Sequence, residues 1–383
     1  MSNVNDNDEE KFFVFGWRES NLELIISKEW LKEKKINSYL TKIKKILENK
    51  PKRVSIFTHA NPDPDAIGSM MGFQWILYKY EIESDLFYLG EFAHPQNQAM
   101  VNLLDPGLAR VVNYDSEIYD LNVLVDTVPN HAGLGDKTCT FDLVIDHHKE
   151  TVDPDFKGLF VNLKAGSASG TVCALLFKLG LEFEPDVETD SRVATALMVG
   201  IATDTDNLMS ADSSEYEFAA WAKLFPYRNI AAMAKIISWE RPKLWVDIEA
   251  EAAKSSQTVE GIAVVGLGII PKKHRDIIAD MASQMIQWEN VSTAVAFAVV
   301  DGNRIEGSVR SKNASINVSL TCQELGQERS GSGGGKLGKG AYSYDLAGAS
   351  ISDDDDDETK QKTWDLFNDK EKKRIFRIIK NGS

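Results

Sequence analysis

The sequence predicts an α/β protein: a parallel-sheet domain and a second, smaller α/β domain, joined by a helical connector. Three observations predict it. Short apolar runs alternate with helical patterns ("RVSIF", "SDLFYLG", "LNVLVDT", "FDLVIDHH"), and strands without polar alternation suit a parallel sheet covered on both faces. A separate strand–helix–strand pattern starts near residue 258, with "VEGIAVVGLGII", "RDIIADMASQMIQW" and "VSTAVAFAVVDG". The length, 383 residues, exceeds what one core ordinarily serves.

Taken in order, residues 1–35 are an N-terminal extension in which "KFFVFGW" and "LELIIS" pair as a hairpin. Residues 36–225 form the first domain. Its opening helix, "INSYLTKIKKILEN", leads through Pro51 to the strand "RVSIF" and then to the helix "MMGFQWILYKY". The strand "SDLFYLG", the helix start "NQAMVNLL" and the strands "LNVLVDT" and "FDLVIDHH" follow. The domain closes on two helices, "SGTVCALLFKLG" and "DSRVATALMVGIATDT", the second running into a turn. Residues 226–257 are read as the connector. Residues 258–350 form the second domain, which ends in a glycine-rich loop, "GSGGGKLGKGAYSYDLAG". Residues 351–383 are a solvated acidic linker, "SDDDDDE", and an amphipathic basic tail, expected to be dispensable for chemistry, its apolar residues docking on a partner or packing on the protein's own core. No internal repeat is visible.

Composition narrows the function. Cys139, Cys173 and Cys322 are far apart and form no CxxC, which argues against a disulfide framework and a zinc–thiolate site and fits the cytoplasm. The acidic start "MSNVNDNDEEKFF" is no secretory signal, and no apolar run of about 18 residues suggests a membrane span. The net charge of −15 argues against a partner that is long nucleic acid, whose backbone calls for a basic stripe. A nucleotide substrate would be short, or neutralised by bound metal.

The chemistry concentrates at four places. "HANPDPDAIGS" sets His59, Asp63 and Asp65 in a strand-to-helix turn. Asp126 ends "LNVLVD"; Asp146, His147 and His148 end a further strand; Asp204 follows "LMVGIAT". In an open parallel sheet, ligands bind outside the carboxyl ends of the strands, so these side chains should share one crevice. Histidine and carboxylate without cysteine suit Mn²⁺ or a similar ion. The donors exceed the needs of one ion, and two ions sharing a bridging carboxylate, about 3.5–4 Å apart, clamp a phosphoryl group. Any one element alone reads as a cap or a surface hydrogen bond; four in order, each at a strand or helix end, outweigh that reading.

"HANPDPDAIGS", "LVDT", "IDHHK" and "GIATDTD", in this order, resemble the four motifs of the DHH phosphoesterase superfamily. The second domain resembles the DHH-associated substrate-binding domain of the branch that contains nanoRNases with pAp phosphatase activity and cyclic-dinucleotide phosphodiesterases. The likeness covers about residues 36–350. It implies that His59 and Asp63 hold one ion, Asp65 and His147 the other, that Asp126 bridges both and that Asp204 completes the set. His148 would face the scissile phosphate, and Asp146 would orient the histidines. "GSVRSK" supplies Arg310, Ser311 and Lys312. The family's GGGH loop reads Gly333, Gly334, Gly335 and Lys336 here; lysine keeps a positive charge but not the imidazole ring. A flexible glycine linker is the plainer reading of that stretch. His94, with Gln96 and Asn97, is a further substrate-binding candidate, with a structural loop as the alternative. Ser167, Ser169 and Thr171 open a helix, as N-caps or as an anion site.

The implied function is a phosphoesterase with two divalent ions, Mn²⁺ foremost and Mg²⁺ or Co²⁺ as substitutes. It would hydrolyse short oligonucleotides as a nanoRNase-like exonuclease of either polarity, or pAp, in a cleft between the domains. Cyclic-dinucleotide phosphodiesterase and exopolyphosphatase-like activities are alternatives, and a non-catalytic nucleotide-binding protein is the alternative from another class. The expected partners are a small phosphoester substrate and, as an open option, a second copy in a homodimer; no membrane partner is expected.

Overall fold

The computed structural model describes residues 34–90, 92–111, 114–131, 140–149, 152–336, 338–346 and 356–381. The expected N-terminal hairpin lies outside them. The chain divides into two compact units, residues 1–90 with 103–234, and residues 91–102 with 235–383.

The first unit opens with α1 (Lys34–Glu48), which buries Ile36, Leu40, Ile43 and Leu47 along one stripe. Then come β1 (Arg53–Phe57), α2 (Pro64–Lys79), β2 (Glu83–Tyr88), α3 (Pro95–Leu104, of which residues 95–102 group with the second unit), β3 (Leu108–Arg110), β4 (Leu121–Val125), β5 (Leu143–Ile145) and β6 (Leu159–Val161). Helices α4 (Ala168–Lys178), α5 (Glu188–Asp204) and α6 (Glu215–Leu224) complete it. The six strands are parallel in the order β3-β2-β1-β4-β5-β6. Strands β3 and β6 escape a sequence reading because neither sits in an apolar run that leads into a motif, as "FDLVIDHH" does for β5. Pairing of β1 with both β2 and β4 makes the β1/β4 gap the point where strand order reverses, the usual crevice of such a sheet.

Helix α7 (Ile230–Ile237) straddles the boundary. The second unit contains α8 (Lys243–Ser255), β7 (Gln257–Val259), β8 (Ile262–Ile270), α9 (Ile277–Met285), β9 (Thr293–Val300), β10 (Arg304–Ser311), α10 (Val318–Gln327), β11 (Ser332–Lys336), β12 (Lys339–Asp345) and α11 (Asp357–Asn381). The sheet order is β11-β12-β10-β9-β8-β7, with only β8 and β9 parallel. Every residue of β9 is buried. Its alternation sorts two cores: Val295, Phe297 and Val299 pack with α10 and α11, while Ala294, Ala296 and Ala298 pack with α8 and α9.

Four expectations change. The connector is no connector: Trp245 of α8 is fully buried in the second core, so α8 is one of that unit's layers. The C-terminal tail is not a separate segment but part of the second unit, packed on its core. Ile375, Ile378 and Ile379 of α11 lie in the core, and burying each fully stabilises by about 1.5–3 kcal/mol. Charges on its inner side are satisfied internally. Glu371, 2% exposed, accepts from Tyr342 Oη at 3.2 Å, Tyr344 Oη at 2.8 Å and Arg374 Nη2 at 2.7 Å. The glycine-rich loop is a β-hairpin, β11–β12, at the edge of the sheet. A Cβ at Gly333 would lie 1.9 Å from the Cys322 carbonyl oxygen, so glycine lets β11 lie on α10. Finally, residues 91–102 group with the second unit, where His94 packs edge-on against Trp239 and Trp245.

Candidate metal centre

The first donors come from the β1–α2 turn. Asp63 is the N-cap of α2, its Oδ1 accepting from Asp65 N at 2.9 Å and Ala66 N at 3.0 Å. Pro64 follows at a position where no N–H is needed. Asp65 is buried, and the start of α4 grips both its oxygens: Ala168 N donates to Oδ2 at 2.6 Å and Ser169 N to Oδ1 at 2.8 Å. Of the two readings of that helix start, the structure has N-capping. Ser167 is the N-cap, and the anion held there is the chain's own carboxylate.

Asp126 follows β4 with φ +59°, a left-handed conformation that costs on the order of 1–3 kcal/mol in a non-glycine residue and gathers at functional sites. Its N–H donates to Ile145 O at 2.9 Å, fixing it beside the end of β5. Asp146 N donates to Val161 O at 3.0 Å, which extends the sheet one step before the histidines. Asp204 ends α5, and Asp206, Asn207 and Leu208 then take left-handed angles of +51°, +57° and +67°, which stop the helix there.

These elements gather the donors into overlapping groups. His59, Asp63 and Asp126 form one; Asp65, His147 and Asp204 form another, within each of which the ligand atoms lie within 4.8 Å of one another. Asp126 ties them together, with Oδ2 3.5 Å from His59 Nε2 and Oδ1 3.5 Å from His147 Nε2. His147 Nε2 also lies 3.1 Å from Asp204 Oδ2 and 3.9 Å from Asp65 Oδ2. A third group joins Asp126, His147 and His148. His148 Nδ1 pairs with Asp146 Oδ1 at 2.9 Å, leaving Nε2 as the other ring donor.

The residues fit a pair of divalent ions. Asp126 Oδ1 and His147 Nε2 are buried without a hydrogen-bond partner among the described residues, an arrangement that costs about 1–3 kcal/mol per group unless something else satisfies it. Four carboxylates match the charge of two such ions, and nitrogen and oxygen donors without sulfur suit Mn²⁺.

Electrostatics without metal show the same demand for positive charge. Burial opposes protonation of His59, yet Asp126, Asp63 and Asp65 hold its pKa up at about 9. His147 is held well above the ordinary imidazole range, burial again being outweighed, by Asp126 and Asp204 first. Burial and then Asp126 push Asp63 up to about 6, and the same two causes push Asp65 well up. Burial also works against the Asp126 carboxylate, but His147 and His59 hold it well below the carboxylate range. His148 is raised, Asp146 outweighing burial.

A cavity of about 390 Å³ opens over the centre, lined by His59, Asp63, Asp126, His148 and Asp204, by Thr127 of the "LVDT" stretch and by Val128, which lies outside every motif. A larger groove of about 950 Å³, beside Arg53 and Glu83 at the opposite ends of β1 and β2, contains none of the donors.

In the second unit, Arg310 is half-buried, with Nε donating to Ser283 Oγ at 3.1 Å and Nη1 to Ser308 Oγ at 2.8 Å. Ser311 Oγ pairs with Thr293 Oγ1 at 2.9 Å, and Lys312 Nζ donates to Ile286 O at 2.8 Å, both contacts within the unit's own scaffold. Register aligns Arg310 with Lys339 and Lys339 with Lys336. Directly opposite residues share a face, so three cations stand in a row across β10, β12 and β11, a like-charge arrangement that an anion would relieve. Only strand pairing brings Lys339 beside Arg310, so the sequence carries no signal for it. The row continues over Ser308, Ala341 and Gly334, a floor of small residues. His94 has the contacts of a packing residue: besides the tryptophans, its Nδ1 accepts from Gln96 N at 3.1 Å, and burial lowers its pKa.

A parallel sheet with histidine and carboxylate donors at its reversal point defines a metal-centred α/β domain. Residues 53–201 match the DHH family, N-terminal domain. The match contains every donor named above except Asp204, which lies three residues beyond it. An uncharacterised protein of Methanocaldococcus jannaschii is 31% identical over 278 residues, 72% of this chain and 56% of that protein. A probable manganese-dependent inorganic pyrophosphatase of Lactiplantibacillus plantarum is 28% identical over 165 residues, 43% of this chain and 52% of the relative. The chain thus spans a little over half the length of these two relatives. The crystal structure of an exopolyphosphatase-related protein from Bacteroides fragilis covers 88% of this chain and 98% of its own, with a TM-score of 0.64 and 14% identity, a likeness of fold.

Proposed function

We propose that this chain is a Mn²⁺-dependent phosphoesterase acting on short nucleotide phosphoesters, oligoribonucleotides or pAp. The observation that carries the reading is Asp126, which presents one oxygen to each donor group. Two divalent ions supply a nucleophile at neutral pH and neutralise charge on phosphoryl oxygens. The chain's own residues do the rest. Asp65, locked by α4, and Asp126, locked by its left-handed backbone, hold fixed positions. His148, oriented by Asp146 through Nδ1, is the acid or electrophile toward the scissile phosphate through Nε2. Arg310 with Lys339 and Lys336 is the proposed phosphate-binding row of the second unit, and Gly334 leaves the floor beside them open.

The manganese named for the pyrophosphatase relative agrees with this donor chemistry. The complete donor set speaks against a non-catalytic nucleotide-binding protein. The net charge of −15 speaks for a short substrate. Cys173 and Cys322 are buried free thiols, in keeping with a reducing, cytoplasmic setting. No helix among the described residues is long and apolar enough to cross a membrane. The cationic row favours a second reading, a short polyphosphate chain, because three aligned charges suit consecutive phosphates better than a base.

The test is turnover of di- to pentaribonucleotides, pAp, cyclic di-AMP and tripolyphosphate with Mn²⁺. Release of mononucleotides from the shortest RNAs, or of phosphate from pAp, supports the first reading; tripolyphosphate as the preferred substrate supports the second. Undiminished turnover by protein verified as metal-free would refute both.

A further inference from the structure

Glu217 of α6 is fully buried. A buried carboxylate needs strong hydrogen bonding, and Glu217 uses two serines. Its Oε2 accepts from Ser214 N at 2.9 Å and Ser214 Oγ at 2.6 Å, which closes the capping box of α6. Its Oε1 reaches another helix, accepting from Ser167 N and Ser167 Oγ, each at 3.2 Å. Ser167 is the N-cap of α4, and its Oγ accepts from Gly170 N at 2.9 Å. The hydroxyl thus donates to Glu217 and accepts from the helix. A Cβ at residue 170 would come 2.1 Å from Glu217 Oε1, so the contact requires Gly170. The next two N–H groups, of Ala168 and Ser169, are those that hold Asp65.

The capping box needs only the Ser214 side of Glu217. The Ser167 side leads to the metal centre. We propose that Glu217 is a positioning residue for that centre: it fixes Ser167 at the first turn of α4, and so sets the two N–H groups that aim the Asp65 carboxylate. This rests on Asp65 being a metal ligand. Both oxygens of Glu217 must accept. In Glu217→Gln one becomes an NH₂ that faces the donors of one serine.

The experiment compares Mn²⁺ affinity by calorimetry and by electron paramagnetic resonance of free Mn²⁺, with the melting temperature of each variant in EDTA. Glu217→Gln should weaken Mn²⁺ binding about 10–100-fold, the range for residues that orient ligands. Ser167→Ala, which leaves the α6 capping box intact, should weaken it in the same direction and decides the matter if Glu217→Gln does not fold. Ser214→Ala removes only the α6 side; it should lower the metal-free melting temperature and bind Mn²⁺ with parental affinity. Parental affinity in the foldable members of the first pair, or an equal loss in Ser214→Ala, overturns the proposal. A parent protein that takes up no Mn²⁺ instead overturns the reading of the metal centre itself.

Discussion

At the scale of single residues, Asp126 and His148 divide the work in ways that separate experimentally. Asp126→Ala removes a carboxylate that faces both donor groups, so bound metal, counted by elemental analysis, should fall and turnover should vanish. His148→Ala should keep the parental metal content and lose rate by about 10²–10⁴-fold, the usual worth of a general acid. Loss of metal from His148→Ala would instead make it a ligand, as its place beside Asp126 and His147 permits. His59 gives a pH test on the metal-free protein. Its pKa is raised in the fold, to about 9 from an ordinary 6.5, because the carboxylates around it outweigh burial. Such a group stabilises fully below pH 6.5, and the contribution fades as pH rises through about 9. The melting temperature in EDTA should therefore fall between pH 6 and 9.5, and the fall should be smaller in His59→Gln. An equal fall in both would show that His59 is not responsible.

At the scale of elements, the hairpin β11–β12 shows how one stretch supports two readings. Its glycines look like a tether or a phosphate loop, and the fold gives them unequal tasks. Gly333 faces α10 at a distance no side chain tolerates, whereas a Cβ at Gly334 would meet nothing within 4 Å. Gly333→Val should thus destabilise by about 1–3 kcal/mol, as overpacking does, and Gly334→Ser should leave the chemical-denaturation midpoint near the parental value. Similar midpoints for the two variants would mean that β11 does not rest on α10. Lys336, exposed at the end of the same strand, should act on substrate binding alone: Lys336→Ala raises KM with kcat unchanged, which is lost uniform binding. The rise should be largest on tripolyphosphate if the polyphosphate reading holds; a change confined to kcat would place Lys336 in the chemical step.

At the scale of the whole molecule, α11 decides where the second unit ends. A chain cut after Asp356 loses Trp364, Ile375, Ile378 and Ile379 from its core and the Glu371 anchor from two buried tyrosines. It should fail to fold its second unit, seen as loss of near-ultraviolet circular dichroism. Ile375→Ala alone should cost about 2–5 kcal/mol, as deletions of buried aliphatic groups do. A truncated chain with parental melting behaviour would restore the tail to the dispensable role its sequence suggested.

The α/β class and the grouping of donor residues were legible in the sequence because both are local. An apolar strand followed by His59, Asp63 and Asp65 within one turn, or by Asp146, His147 and His148 in succession, declares its position at a strand end without reference to anything distant. The membership of helices was not legible. A helix shows which stripe is apolar but not which sheet will cover it, so α8 passed for a connector and α11 for a tail. The same holds for Lys339, which joins Arg310 only through strand register, and for Glu217, whose tie to Asp65 runs through Ser167. Each depends on a contact between residues far apart in the chain, and only the closing of the tertiary fold creates such a contact.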